Sequence, residues 1–365
     1  MTIHLYDLFT KEELSAGKSD GFISERANHD GLGILNYTDK AMYTTGAWDN
    51  PAVRICRGLI YNPTNMEVVA RPWAKFFNLG QKEVGEIHGH DEVEVTDKCD
   101  GSLAIMFRNL KGELQVATRG SFVSDQAVWA TRYIQNNQHL IGQWVDDFTP
   151  LFEIIYPENR VVLSYDFSAL VLLGGVWIST GKYVGPAEAA ETIQWAGRIT
   201  KTFRRARSLQ DALEIPPRPN AEGLVVRFLN SSLMVKIKQE DYLRAHRIIT
   251  HCTPRHIWGQ LMDGDTLSDL LVGIPDEFVD MVQGYHSDIM AEVTALSQRI
   301  EEAYSDILAL LPKDFTRKEF AQHAAKFEHS KALFMKLDGK DIHEYCLKKV
   351  KPAPISIDLR KEDVA

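Results

Sequence analysis

A chain of 365 residues is long enough for two domains with cores of their own. Its 44% hydrophobic and 25% charged residues exclude a disordered or fibrous polymer. The net charge of −9 argues against a protein that coats nucleic acid indiscriminately, since such binding rests on many phosphate contacts, so any RNA would be met by local basic patches.

The chain opens on Met1-Thr2-Ile3-His4-Leu5, with no basic region followed by an apolar run. Nowhere do 18 apolar residues follow one another, so neither secretion nor membrane spanning is expected, and a cytoplasmic setting is. Cys56, Cys99, Cys252 and Cys346 form no Cys-x-x-Cys pair. They suggest neither a zinc site nor a disulfide framework and fit a reducing compartment.

From about residue 50 to 240 the text is dominated by short β-branched and aromatic segments with Gly and Asn turns. Arg57-Gly58-Leu59-Ile60-Tyr61 follows a short apolar stretch, and Lys75-Phe76-Phe77-Asn78-Leu79 comes next. Val93 and Val95 alternate with Glu92, Glu94 and Thr96, and Leu103, Ile105 and Phe107 resume the period. Two strands therefore flank the short loop Lys98-Cys99-Asp100-Gly101-Ser102. Thr118-Arg119-Gly120-Ser121 precedes a helical stretch near Ser124 to Trp144. Leu151-Phe152-Glu153-Ile154-Ile155 and Ala221-Glu222-Gly223-Leu224-Val225 each set a carboxylate among apolar residues, which is costly unless it is paired or bound to a metal or hydroxyl. Met234-Val235-Lys236-Ile237-Lys238 has strict period-two alternation, which puts Lys236 and Lys238 on one face. This region reads as α+β with antiparallel sheets.

Two basic patches stand out. Arg198, Lys201, Arg204, Arg205 and Arg207 lie in a run of ten residues with no acidic member, and Lys348-Lys349-Val350-Lys351 lies near the C-terminus. Either one is a candidate RNA contact or an ordinary solvated helix face. Gly175 to Lys182 fails as a P-loop, because Tyr183 stands where a Ser or Thr would hold magnesium. His246, His251, Cys252 and His256 match no common zinc spacing and read as a surface or RNA-contacting helix.

After about residue 245 the strand pattern stops. Thr253-Pro254 reads as an N-cap followed by Pro at the first helical position, and Pro275 to Leu311 carries helical periodicity. Thr316-Arg317-Lys318-Glu319 is a capping box before Phe320, Ala324 and Phe327. The residues from Pro352 onward read as a loosely packed tail. The expected division is 1–245 for an α+β domain and 246–365 for an all-helical one.

The Lys98 loop carries the chemistry. A neutral amine is a nucleophile and an ammonium is not, so lysine catalysis needs a lowered pKa. A second ammonium about 5 Å away repels by roughly 3 kcal/mol at an effective dielectric of about 20. That would take a lysine from about 10.4 toward 8. Lys236 and Lys238 are the candidate neighbours, and the same charges would hold a phosphate.

The ordered series Lys-x-Asp-Gly, Phe-Glu, Glu-Gly-Leu-Val and Lys-x-Lys resembles the nucleotidyltransferase superfamily of ATP-dependent ligases and capping enzymes. Arg57-Gly58, Lys75-Phe76-Phe77-Asn78-Leu79 and Thr118-Arg119-Gly120-Ser121 resemble the phage RNA ligases that reseal nicked tRNA anticodon loops. The likeness runs from about residue 50 to 240. It implies that Lys98 attacks the α-phosphate of ATP to form lysyl-AMP, with Lys238 on the α-phosphate and Lys236 assisting. It further implies that Arg57 and Lys75 steady the outgoing phosphates, and that Glu153 binds the ribose hydroxyls. Glu222 would take a divalent metal, Mg²⁺ or Mn²⁺, and Asp100, Gly101 and Arg119 would join the nucleotide site. Arg119 stands where this branch often has lysine, and Leu170 to Val176, where the family walls the adenine, has no aromatic ring. The implied substrates are RNA ends bearing a 5′-phosphate and a 3′-hydroxyl, including nicked tRNA, in the host cytoplasm if the gene is a phage's. A capping guanylyltransferase or a DNA ligase shares this core, but a β-barrel domain would follow Lys238, and no five alternating strands do. A noncatalytic RNA-binding protein of the same fold would lack one or more pocket residues.

Overall fold

The computed structural model describes residues 3–87, 91–231, 233–240, 242–243, 252–272, 274 and 278–353. The chain divides into two compact units, residues 1–246 and 247–365.

The first unit is built on strands β1 (Ile23–Ala27), β2 (Gly33–Tyr37), β3 (Arg57–Asn62), β4 (Glu67–Ala70), β5 (Phe77–Asn78), β6 (Val93–Asp97), β7 (Ser102–Arg108), β8 (Leu114–Ala117), β9 (Phe148–Ile155), β10 (Ala169–Trp177), β11 (Tyr183–Val184), β12 (Gly223–Phe228) and β13 (Met234–Lys238). They form three sheets, ordered β1-β2-β3-β4, β11-β10-β9-β7-β8 and β5-β13-β12-β6. Among the described pairs, β5 with β13 is parallel and the others are antiparallel. Strand structure thus begins before residue 50. Its first strand escapes period-two reading because Ser24, Glu25 and Arg26 follow one another with only Ile23 buried.

The first sheet is covered by two helices. Lys11–Ser19 starts on a capping box in which Thr10 and Glu13 satisfy each other's backbone N–H. Pro51–Ile55 is capped by Asn50 with Pro at the first position. Leu35, Tyr37, Leu59, Val53 and Trp48 meet between them. Helix Asp125–Asn136, capped by Ser124, buries Ala127, Ala130 and Ile134 against the middle sheet. It stops well short of Trp144. Asn137 leaves helical geometry at φ −125, ψ 38, and its side-chain amide donates to the Tyr133 carbonyl, ending the ladder.

The two strands beside the Lys98 loop do not pair with each other. β6 is an edge of the third sheet and β7 lies within the second, so residues 98–101 are the crossover between two sheets. The basic stretch from Arg198 to Arg207 is likewise a connection rather than a helix face. On the middle sheet the Arg198 carbonyl accepts from the Leu172 N–H, and the Thr200 N–H donates back to the Leu172 carbonyl. The stretch then tracks the outer edge of β6 through Asp97–Lys201, Val95–Phe203 and Val93–Arg207 bonds.

In the second unit every described element is helical: Pro254–Asp263, Leu267–Leu270, Val279–Leu310, Arg317–Ala324, Ser330–Leu337 and His343–Lys349. Thr253 caps the first of these ahead of Pro254, and Thr316 with Glu319 closes a reciprocal capping box. The 32-residue helix buries Val282, Ile289, Val293, Leu296 and Ile300 at steps of seven, four, three and four, one continuous apolar stripe. Its outer face is polar, and no described helix is long and apolar enough to cross a membrane. Most of the tail beyond Pro352 lies outside the described residues.

Candidate active site

Lys98 follows the last residue of β6, and its backbone N–H donates to the Gly223 carbonyl at 3.0 Å. On the other side of β12, Gly223 stands opposite Lys238. Glu222, one residue ahead of β12, therefore enters between two lysines. Its Oε2 accepts from Lys98 Nζ at 2.7 Å, and its Oε1 lies 3.2 Å from Lys238 Nζ. Glu222 is 2% exposed, Lys238 9% and Lys98 21%, so one buried carboxylate bridges two ammonium groups, of which only Lys98 keeps appreciable access.

Backbone contact makes this geometry possible at two glycines. Gly223 has φ +153, and a Cβ there would lie 2.0 Å from the Ile237 carbonyl oxygen. At Gly101 a Cβ would lie 2.4 Å from the Ile154 carbonyl oxygen and 3.1 Å from Glu153 Cγ. The crossover loop is thus pressed against β9, which brings Glu153 toward Lys98.

The electrostatics correct one expectation. Burial pulls the Lys98 pKa down, but the charges of Glu222, Glu153 and Asp100 and the Glu222 hydrogen bond outweigh it, and the net direction is upward from an ordinary lysine. Without bound ligand Lys98 is an ammonium, not the free amine expected from crowding by Lys236 and Lys238. A carboxylate sits between the like charges, which alternation along single strands could not reveal. Glu153 answers to the same cluster: burial pushes it up to about 8, against the pull of Lys98 and with Glu222 adding to the rise.

Asp100 is 5% exposed and accepts from the backbone N–H groups of Val162 and Leu163 at 2.9 and 2.7 Å and from the Tyr242 hydroxyl at 2.8 Å. Its own N–H donates to the Tyr165 hydroxyl. These bonds make it a clamp that fixes the crossover to the 162–165 loop. Tyr242 lies four residues after Lys238, whose Nζ sits 5.3 Å from the ring centroid. It was not singled out from sequence, although a tyrosine one helical turn beyond Lys-x-Lys was the available signal.

The remaining cations gather in two aromatic clusters. Arg57, at the start of β3, and Lys236 both face the Phe76 ring, at 5.3 and 5.7 Å from its centroid. Lys75 is 8% exposed, with its ammonium 5.3 to 5.6 Å from the Phe77, Tyr37 and Trp48 rings. Arg119 stacks on the same Tyr37 and donates to its hydroxyl at 2.5 Å. Consecutive phenylalanines thus tie two cation groups together.

A cavity of about 400 Å³ adjoins the Lys98 strand. Asp97 and Cys99, the neighbours of Lys98, line it together with Val171, Tyr165, Phe167 and Arg198. The Arg198 guanidinium lies 4.0 Å from the Phe167 ring centroid. Aromatic side chains absent from residues 170–176 are supplied here by the 165–167 loop. Cys99 bonds Thr200, and burial pushes its thiol up to about 12, so it is an inert wall. Of His246, His251, Cys252 and His256, the first two lie outside the described residues, Cys252 is buried, and His256 is exposed on helix Pro254–Asp263. Among the described residues no three His, Cys, Asp or Glu side chains are placed to hold a metal.

An α+β unit with a lysine on a sheet-to-sheet crossover, bridged by a buried glutamate to a second lysine, is a site built for handling phosphates. The RNA ligase family profile matches residues 55–242, more than half of the chain, including Lys98, Glu153, Glu222, Lys236 and Lys238. The chain belongs to the RNA ligase family and is an enzyme of the ligase class. It is similar to the RNA ligase of Rhodothermus phage RM378, at 22% identity over 90% of this chain and 92% of that protein. It is also similar to RNA ligase 1 of Bacteriophage TS2126, at 25% over 72% and 68%. A Naegleria gruberi RNA ligase structure aligns at 19% identity with a TM-score of 0.34, covering 46% of this chain. This chain spans 54% of that ligase's length. The family match leaves the guanylyltransferase, DNA-ligase and noncatalytic readings without support.

Proposed function

We propose that this chain joins RNA 5′-phosphate and 3′-hydroxyl ends at the expense of ATP, with Lys98 as the nucleophile. The bridging of Lys98 and Lys238 by buried Glu222 is the observation that carries this reading. Lys98 loses its proton and its Nζ attacks the α-phosphate; the new N–P bond forms as the bond to pyrophosphate breaks. An RNA 5′-phosphate oxygen then displaces Lys98 to give an adenylylated end, and the 3′-hydroxyl of a second end displaces AMP to leave a phosphodiester. In-line displacement at phosphorus calls for positioning and charge neutralisation more than for covalent assistance. Lys238 and Lys236 supply positive charge at the α-phosphate. Arg57, which shares the Phe76 ring with Lys236, is suited to the outgoing phosphates, as are Lys75 and Arg119. Glu153, protonated or ionised near neutral pH, is suited to hydrogen-bond ribose hydroxyls. A divalent cation, Mg²⁺ or Mn²⁺, fits a site with one buried carboxylate, Glu222, completed by substrate phosphates, and would neutralise phosphate charge. Were Glu222 to hold that cation, Lys98 would lose the partner that keeps it protonated.

Residues 1–246 are proposed as the adenylation domain and 247–365 as a helical module for RNA specificity, with a nicked tRNA stem and loop as the substrate type it would recognise by shape and phosphates. The deciding experiment is incubation with α-labelled ATP followed by a denaturing gel. A labelled band released by acid but not alkali is expected, absent in Lys98→Ala and reduced at least about tenfold in Lys238→Ala. Wild-type labelling of Lys98→Ala would remove Lys98 as the nucleophile.

A further inference from the structure

We propose that the strap from Arg198 to Arg207 is the track that binds the phosphate backbone of the RNA strand approaching Lys98. This rests on the ligase reading above and adds to it the surface on which the nucleic acid lies. Five basic and no acidic residues occupy these ten positions in a chain whose net charge is −9. All five basic side chains, Arg198, Lys201, Arg204, Arg205 and Arg207, are exposed. A solvated helix would scatter such charges around its circumference. Here the backbone is pinned along the outer edge of β6 at Lys201, Phe203 and Arg207, with a turn at Arg204 and Arg205, so the charges follow one sheet edge.

The line has a defined start and a defined bulge. The Lys201 carbonyl accepts from the backbone N–H of Asp97, the residue before Lys98. Phe203 then bonds Val95, and Arg207 bonds Val93. Four strap residues thus span two residues of β6, and the turn that absorbs the excess carries Arg204 and Arg205 outward. Among the described residues no ion pair or ring contact engages the side chains of Arg204, Arg205 or Arg207, whereas Arg198 stacks on Phe167 and Lys201 lies 4.9 Å from the Phe203 ring centroid. Lys201 to Arg207 lies alongside only the stretch of β6 from Asp97 to Val93, about 13 Å at about 3.3 Å per residue. The run from Lys201 to Arg207 therefore matches a few successive phosphates of one strand and leads away from Lys98. A row of charges one strand wide, beginning beside the reactive lysine, fits a single RNA strand better than a duplex, whose phosphates diverge across a groove.

The test is binding of a 5′-phosphorylated single-stranded RNA, followed by fluorescence anisotropy at 50 to 200 mM salt, in the full chain and in the triple variant R204A/R205A/R207A. None of these residues touches the Lys98 cluster, so labelling by ATP is expected to stay at the wild-type level. RNA affinity is expected to fall by about tenfold or more, and the slope of log affinity against log salt to flatten by about 2, three charges at about 0.7 each. The R204K/R205K/R207K variant should recover most of the affinity, since a phosphate track needs charge rather than a planar fork. Unchanged affinity and slope in the alanine variant would overturn the strap, whatever the labelling shows; equal competition by a duplex of the same sequence would overturn its single-strand character. Failure of the wild type to take label would instead count against the ligase reading, and the binding measurement would still decide the strap.

Discussion

At the residue scale, proximity of like charges proved to be only part of what sets a lysine's protonation. Lys98 and Lys238 do meet, yet through Glu222, and the net effect on Lys98 is upward. In ligand-free protein, amine-reactive labelling of Lys98 should therefore begin at higher pH than for surface lysines. Glu222→Gln should move that onset to lower pH, read by peptide mapping; an unchanged onset would remove Glu222 as the controlling charge. Glu153 makes a second prediction. Its folded pKa, about 8, is raised above the ordinary 4.5, so its contribution to stability is complete below pH 4.5 and is lost as pH rises through 8. Glu153→Gln should abolish that loss, so that the difference in Tm between variant and wild type grows in the variant's favour from about pH 5 to 8. A constant difference across this range would contradict the buried, raised carboxyl.

At the element scale, the site depends on backbones approaching more closely than side chains permit. Gly223→Ala would put a Cβ 2.0 Å from the Ile237 carbonyl at a φ of +153, forcing β12 from β13 exactly where Glu222 and Lys238 meet. A cost of about 2 to 4 kcal/mol is expected. This corresponds to a Tm lower by roughly 5 to 15 °C, together with loss of labelling by ATP beyond what reduced folding explains. A folded variant with wild-type labelling would show that the close crossing is unnecessary. Helix starts were legible from sequence because caps are local: Thr253-Pro254 and the Thr316–Glu319 box appear as read. The sequence extends helix Asp125–Asn136 too far because its apolar periodicity continues into Leu140, Ile141 and Trp144, which pack on the same core from a separate 3-10 turn, Gln138–Leu140, and the segment after it. The strap was read as a possible helix face because no local signal marks a segment whose hydrogen bonds go to Leu172 and the β6 edge, far off in sequence.

At the scale of the whole molecule, the two units pose a question of division of labour. A chain ending near residue 246 retains the entire Lys98 cluster and the cores around it. It should keep at least about half of its labelling by ATP and joining of short linear RNA, while joining of a nicked tRNA falls tenfold or more. Equal loss on both substrates would refute a specificity role for the helical unit. The motifs Lys98–Gly101, Glu153, Glu222 and Lys236–Lys238 were recognisable in order because each is short and lies on a strand or directly at a strand end, and their chemistry follows from residue type. What alternation along a strand cannot contain is which strands become neighbours. β6 and β7 join different sheets, Glu222 falls between two lysines, Asp100 becomes a clamp for Tyr242, and the basic run becomes a strap along a sheet edge. Those outcomes depend on long-range hydrogen-bond partners and on burial, which raise or lower a charge according to what packs against it, and so only the tertiary structure decided them.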